Sequence, residues 1–308
     1  MTLPARPPKN VRMLLHAVMP PITTPFRDDD VDVAGLRSNI EQWGRTGLSG
    51  LVALGTNGEA AQLDDDESDL VIATTREHAP TGFSVIAGTA RESTTGTIKA
   101  TRRAAALGVD AVLVRTPSFF KKEMTSEALI RHYRAVAEAA PVPVILYNYP
   151  NVTGINLHPD TVAVLAEHPN IIGMKESGGD LAQIAALVDQ TPETFRIVVG
   201  AAPSFYPSLC VGASGGILAL ACVAPDACVR LFRLVEAGRH DEARALQRRI
   251  TPLARLIGGR HGVPGLKAAM DLSGYVGGSP RPPLAPVPPA VVEALRCEIE
   301  RLARQEVA

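Results

Sequence analysis

The chain has 308 residues, 46% of them apolar, a length that fits two ordinary domains or one large α/β barrel and a composition too apolar for disorder. Lys and Arg total 31 against 32 Asp and Glu, a net charge of −1, so no global charge steers the chain onto nucleic acid or an acidic membrane surface. No run of about 18 apolar residues is present to span a bilayer.

Residues 1–13 hold Arg6, Lys9 and Arg12 and no acid, but Pro4, Pro7 and Pro8 oppose an amphipathic presequence helix. A short disordered tail over 1–15 and a cytoplasmic location are expected. After the tail, short apolar runs alternate with stretches of helical period. The runs are 17–22, 50–54, 84–87, 111–114, 144–147, 171–175, 196–199 and 216–220. They are continuous rather than alternating, as strands of a parallel sheet buried on both faces should be. Helical stretches between them include 34–47, 65–78, 93–107 and 126–139.

Eight strand-then-helix units predict an α/β fold, a (β/α)8 TIM barrel over 16–237. A doubly wound sheet would open with a glycine-rich turn, and Pro20-Pro21-Ile22-Thr23-Thr24-Pro25 is not one. Past 237 the strands stop. Helices over 239–256, 263–273 and 288–303, split by Gly258-Gly259 and by the Pro-rich 277–289, predict a C-terminal helical extension over 238–308 packed on the barrel.

In such a barrel the site lies at the C-terminal strand ends. Those ends carry Gly55-Thr56-Asn57-Gly58-Glu59, Tyr147-Asn148-Tyr149-Pro150, Lys175-Glu176-Ser177-Gly178-Gly179-Asp180 and Gly200-Ala201-Ala202. Lys175 is the most informative. The chain uses 6 Lys against 25 Arg, so Arg serves wherever a surface cation will do. Lys175 ends a buried strand, where desolvation disfavours the ammonium form and leaves the neutral amine that imine chemistry needs. A buried lysine paired with Glu176 or Glu59 is the other reading. Tyr147 precedes Lys175 by one strand–helix unit, so the two sit at neighbouring strand ends, where a phenol can shuttle protons. The Gly55–Glu59 turn offers a hydroxyl, an amide and backbone N–H groups to a small carboxylate.

Other candidates weaken. Gly212-x-x-Gly215-Gly216 precedes a strand, whereas a dinucleotide fingerprint follows one. Asp64-Asp65-Asp66-Glu67 reads as a helix start and Asp28-Asp29-Asp30 as a solvated turn. The seven His form no cluster, so no metal site is expected. Cys210, Cys222, Cys228 and Cys297 make no Cys-x-x-Cys and read as buried free thiols.

The motifs together resemble the superfamily of dihydrodipicolinate synthase and N-acetylneuraminate lyase, the pyruvate-dependent class I aldolases. The likeness spans about 17–284. It rests on 20–26, 55–59, Tyr147-Asn148-Tyr149-Pro150 and Gly173-Met174-Lys175-Glu176-Ser177-Gly178-Gly179-Asp180. Within the superfamily, Asn57, the Gly262-Val263-Pro264-Gly265-Leu266-Lys267 run and 274–278 look most like 4-hydroxy-2-oxoglutarate aldolase.

The resemblance implies that Lys175 forms the Schiff base and Tyr147 relays protons. It implies that Thr56 and Asn57 hold the keto-acid carboxylate, and that Ile217 packs on the pyruvate unit. Gly58, Ser177 and Gly200 would complete the substrate site. No cofactor or metal is expected. The partner would be a small 2-oxo acid such as 4-hydroxy-2-oxoglutarate, and the assembly a homotetramer built as a dimer of dimers. Two departures stand out. Val152 replaces the Arg of the synthase pattern Tyr-Asn-x-Pro-x-Arg-Thr-Gly, which grips the second substrate's carboxylate. Phe119 and Phe120 stand where the family usually places a Tyr that reaches a neighbouring subunit. A condensing or dehydrating relative and a non-catalytic 2-oxo-acid binder are the alternatives.

Overall fold

The computed structural model describes residues 14–304. Strand β1 (Val18–Met19) leads into a small antiparallel hairpin, β2 (Phe26–Arg27) and β3 (Asp30–Val31). Then follow β4 (Gly50–Ala53), β5 (Ser84–Gly88), β6 (Ala111–Arg115), β7 (Val144–Asn148), β8 (Ile171–Glu176), β9 (Arg196–Val199) and β10 (Gly215–Ile217). One eight-stranded sheet runs β1-β10-β9-β8-β7-β6-β5-β4. Its two ends meet where Pro21 bridges Val52 in parallel. Ile22 N–H donates to the Val52 carbonyl at 2.9 Å, and Val52 N–H donates to the Pro20 carbonyl at 3.0 Å. The result is the expected (β/α)8 barrel.

The first strand is shorter than its apolar run over 17–22. Pro20 and Pro21 have no N–H to give to a ladder, so regular pairing stops at Met19. Helices Asp65–His78 and Ser126–Ala139 have the expected bounds. Asp64 starts the first with a capping box: its side chain accepts from Glu67 N–H, and Asp64 N–H donates to the Glu67 carboxylate.

The core has two layers. Val52, Ile86, Leu113, Ile145, Val198 and Ile217 pack together inside the barrel. Their strand neighbours Val85, Ala87, Val112, Val114 and Leu146 face the helices instead. Tyr147 follows Ile145 by two positions and so joins the interior set. Lys175 needs one more device. Val144 pairs with Ile171 but Ile145 pairs with Gly173, so Ile172 is an extra residue in β8. Ile172 faces the interior and Met174 the helices. Without the bulge, plain alternation would turn Met174 inward and Lys175 outward. Gly173 permits it, since a Cβ there would lie 2.4 Å from the Arg196 carbonyl oxygen.

Three expectations are corrected. Of the tail expected over 1–15, residues 1–13 lie outside the described residues, while Leu14 and Leu15 are buried with the barrel interior. Cys222 and Cys228 are buried, but Cys210 and Cys297 are exposed, each on the outward side of a helix. Gly258-Gly259 does not separate two helices with a loop: residues Arg255–Arg260 form a π-helical turn between His240–Ala254 and Gly262–Leu272.

The C-terminal helices are tied to the barrel. Lys267, in Gly262–Leu272, makes an ion pair of 2.5 Å with Glu59, both side chains 1% exposed. Asn39 exchanges two hydrogen bonds with the Val276 backbone. No helix among the described residues is long and apolar enough to cross a membrane.

Candidate active site

At the C-terminal end of β8, Lys175 is 4% exposed. Among the described residues no carboxylate pairs with it. Glu176 accepts from Asn148 at 2.7 Å, from Gly178 N–H at 2.5 Å and from Gln183 at 3.0 Å. Glu59 is taken by Lys267. The structural salt-bridge reading of Lys175 therefore has no partner to support it. Burial pulls its pKa from the ordinary 10.5 down to about 7. An ordinary lysine is neutral in roughly one molecule in 3,000 at pH 7; with a pKa near 7 about half of the molecules carry a free amine.

Tyr147 and Lys175 are Cα partners across β7 and β8. The amine lies 4.5 Å from the centre of the phenol ring. The Tyr147 hydroxyl and Thr56 Oγ1 are 3.1 Å apart and hydrogen-bonded. Burial raises the phenol's pKa, with the Thr56 and Ser177 hydroxyls pulling the other way. The resting phenol is thus protonated. It can accept a proton only as it passes its own along, which suits a relay rather than a free base.

Thr56 and Asn57 stand in a 3₁₀ turn, Thr56–Gly58, directly after β4. Leu54 and Glu59 on either side have φ of 55° and 54°, in the left-handed region. Such strain needs surrounding structure to hold it. Here the Glu59–Lys267 pair, the Arg281 N–H donated to Glu59 at 2.9 Å and the Thr24 hydroxyl donated to the Gly58 carbonyl at 2.8 Å supply it.

A cavity of about 180 Å³ brings together Thr56, Asn57, Tyr147, Lys175, Ser177 and Gly200, with Ile217 also on its wall. Gly58 does not line it; its backbone is turned to Thr24 and Ile22 behind the loop. Gly200 is there because nothing larger fits. A Cβ would sit 1.9 Å from Ser177 Oγ and 3.1 Å from Lys175 Cε. The cavity is small against the ~300–1,000 Å³ of ordinary ligand pockets, which favours a small substrate.

Part of the wall was not read from the sequence. Tyr149 stacks on Tyr147 with ring centres 6.1 Å apart. Asn151, Ala201, Pro203, Ala254 and the Gly258-Gly259 turn close the far side. The glycine pair was the available signal, because a π-turn in a long helix commonly marks a functional site. A second cavity, about 710 Å³, lies across Thr56 and Tyr147, which line both; it holds Arg115, Glu92, His261 and Val152. Among the described residues no group of three or more His, Cys, Asp or Glu could hold a metal ion.

A closed parallel barrel with an unpaired, desolvated lysine and a phenol at adjoining strand ends defines an enzyme of the aldolase type. The chain belongs to the Dihydrodipicolinate synthetase family, whose sequence profile matches residues 14–301. It is 36% identical over 276 residues to a 4-hydroxy-tetrahydrodipicolinate synthase of Methanothrix thermoacetophila, covering 89% of this chain and 92% of the relative. It is 37% identical over 279 residues to a probable mitochondrial 4-hydroxy-2-oxoglutarate aldolase of Emericella nidulans, covering 88% and 90%. The solved 4-hydroxy-tetrahydrodipicolinate synthase of Methylacidiphilum fumariolicum superposes with a TM-score of 0.90 at 31% identity, over 94% of this chain and 97% of that one.

Proposed function

We propose that this enzyme is a Schiff-base pyruvate aldolase that cleaves a 4-hydroxy-2-oxo acid to pyruvate and an aldehyde. The observation that carries the reading is the buried Lys175 amine, without a carboxylate partner among the described residues and 4.5 Å from the Tyr147 ring centre. The neutral amine adds to the C2 ketone. Loss of water, with a proton delivered from solvent through the Tyr147–Thr56 hydroxyls, leaves a protonated imine. The C3–C4 electron pair moves into that imine to form an enamine, and the aldehyde departs. The proton of the C4 hydroxyl passes through Tyr147 to C3 of the enamine. Water then splits the imine, freeing pyruvate and the amine. The lysine is the electron sink.

Thr56 Oγ1 and the Asn57 amide would hold the C1 carboxylate, with Ile217 beneath the pyruvyl methyl. The homotetramer expected from the resemblance fits Phe119, which is 77% exposed with Phe120 edge-on at 5.1 Å. Large apolar rings left in solvent mark a contact surface.

The second reading is condensation of pyruvate with aspartate semialdehyde, the reaction class of the synthase-named relatives. Val152 counts against it. Its side chain is exposed in the neighbouring cavity and cannot grip a carboxylate. A charge-assisted bidentate contact is worth about 1.5–3 kcal/mol, or roughly 10- to 150-fold. The test is kcat/KM for pyruvate release from 4-hydroxy-2-oxo acids against that for condensation with the semialdehyde, in the parent and in Val152→Arg. Cleavage should be the better reaction of the parent, and Val152→Arg should help only the semialdehyde. A parent that prefers the semialdehyde contradicts the aldolase reading.

A further inference from the structure

The cavity around Lys175 is unusual in what it lacks. Among the described residues its lining holds no Arg, His, Asp or Glu, and Lys175 is the one ionisable cation in it. The wall that would face the departing aldehyde is built from Ala201, Ala202, Pro203, Ala219, Gly258 and Gly259. The polar groups beside it, Asn151 and Tyr149, are uncharged. We infer that the aldehyde half of the substrate is short and uncharged, carrying a hydroxyl or methyl group rather than a carboxylate. This rests on the Schiff-base reading and narrows it.

Charge balance in the cavity sets this limit. The substrate's C1 carboxylate is already one anion, and the protonated imine on the buried Lys175 offsets it. A second carboxylate on the aldehyde half would lie against a wall that offers it no cation; Gly258, Gly259 and Asn151 there are exposed, so what it loses is a charge-assisted contact.

The guanidinium groups lining the neighbouring cavity are already engaged. Arg115 lines the neighbouring cavity, beyond the Thr56–Tyr147 hydrogen bond. It is bound to Glu92 at 2.9 Å and to the Thr116 carbonyl at 2.8 Å. Arg91, in the same cavity, is paired with Asp65 at 2.8 Å. A hydroxyl, in contrast, needs only the amide of Asn151 or the phenol of Tyr149. The example named from the resemblance, 4-hydroxy-2-oxoglutarate, carries the second carboxylate and is therefore expected to be a poor member of its own class.

A matched pair of substrates tests this. 4-Hydroxy-2-oxoglutarate and 4,5-dihydroxy-2-oxopentanoate differ at C5, a carboxylate in one and a hydroxymethyl group in the other. Both release pyruvate, with glyoxylate or glycolaldehyde as the partner. For the full-length enzyme kcat/KM for the hydroxymethyl substrate should exceed that for the dicarboxylate by about 10-fold or more, the scale of one missing charge-assisted contact. Gly259→Arg puts a cation on the far wall, where a Cβ meets nothing within 4 Å. It should move the ratio toward the dicarboxylate by at least several-fold. In parallel, pyruvate and borohydride report whether Lys175 forms the imine at all. A label on Lys175 together with equal or better cleavage of the dicarboxylate overturns this inference and leaves the Schiff-base reading standing. No label on Lys175 overturns both. If Gly259→Arg does not fold, the parent's ratio decides alone.

Discussion

Tyr147 and Lys175 face each other across two adjacent strands, and the pairing depends on one extra residue. The bulge at Ile172 shifts β8 by one position, so that Lys175, rather than Met174, turns inward beside the phenol. The amine then sits 4.5 Å from the ring centre, with Lys175 only 4% exposed. In the proposed mechanism, burial with no carboxylate partner among the described residues lets the amine act as a nucleophile at neutral pH, and the phenol, hydrogen-bonded to Thr56, moves the protons.

Removing the phenol's hydroxyl should separate these roles. Tyr147→Phe keeps the ring that covers the lysine but deletes the relay. Imine formation should persist, while steady-state turnover falls by about 10²-fold or more, the usual scale for one acid–base group. Single-turnover trapping and steady-state pyruvate release measure the two steps. Unchanged turnover would remove Tyr147 from the relay.

The depressed Lys175 pKa sets a pH dependence with a definite sign. Below about pH 7 the rate of imine formation should rise about tenfold per pH unit, and above it should level off. Stability runs the same way. The folded-state value lies below the unfolded value of 10.5, so the buried lysine opposes folding fully below about 7. The penalty fades as pH rises toward 10.5. Lys175→Met should therefore raise the thermal midpoint at pH 6, and the gain should shrink by pH 9.5. The cost is on the order of 1.4 kcal/mol per pKa unit. A midpoint difference that is constant over this range would mean that the lysine is not desolvated as described.

The Glu59–Lys267 pair joins the Thr56–Gly58 turn to the C-terminal helices, and both partners are buried. Removing one leaves an unpaired buried charge. Lys267→Met should cost about 3–5 kcal/mol in urea unfolding, and adding Glu59→Gln to it should recover most of that loss. If the double variant is as unstable as the sum of the two single variants, the pair is not coupled and the clamp is something else.

The fold was legible because eight apolar runs are buried on both faces, which makes them continuous in the sequence as well as in space. Lys175 and Tyr147 were legible for a chemical reason: a scarce residue type at a strand end, one unit away from a phenol. What stayed hidden depends on pairing over distance. The Ile172 bulge exists only relative to β7, and no single strand displays it. The partner of Glu59 lies over 200 positions away, so the sequence offered Glu59 to Lys175 when it belongs to Lys267. The Gly258-Gly259 turn was visible as a break, but its place on the cavity wall needed the helices on both sides of it.

The most direct measurement is to incubate the enzyme with pyruvate, reduce with borohydride, and locate the product by intact mass and peptide mapping. One reduced pyruvyl group per chain on Lys175 is the predicted result. Lys267 is the sharpest control, since it is also buried but is held by Glu59. A label on Lys267 or on any other lysine, or no label at all, would contradict the account.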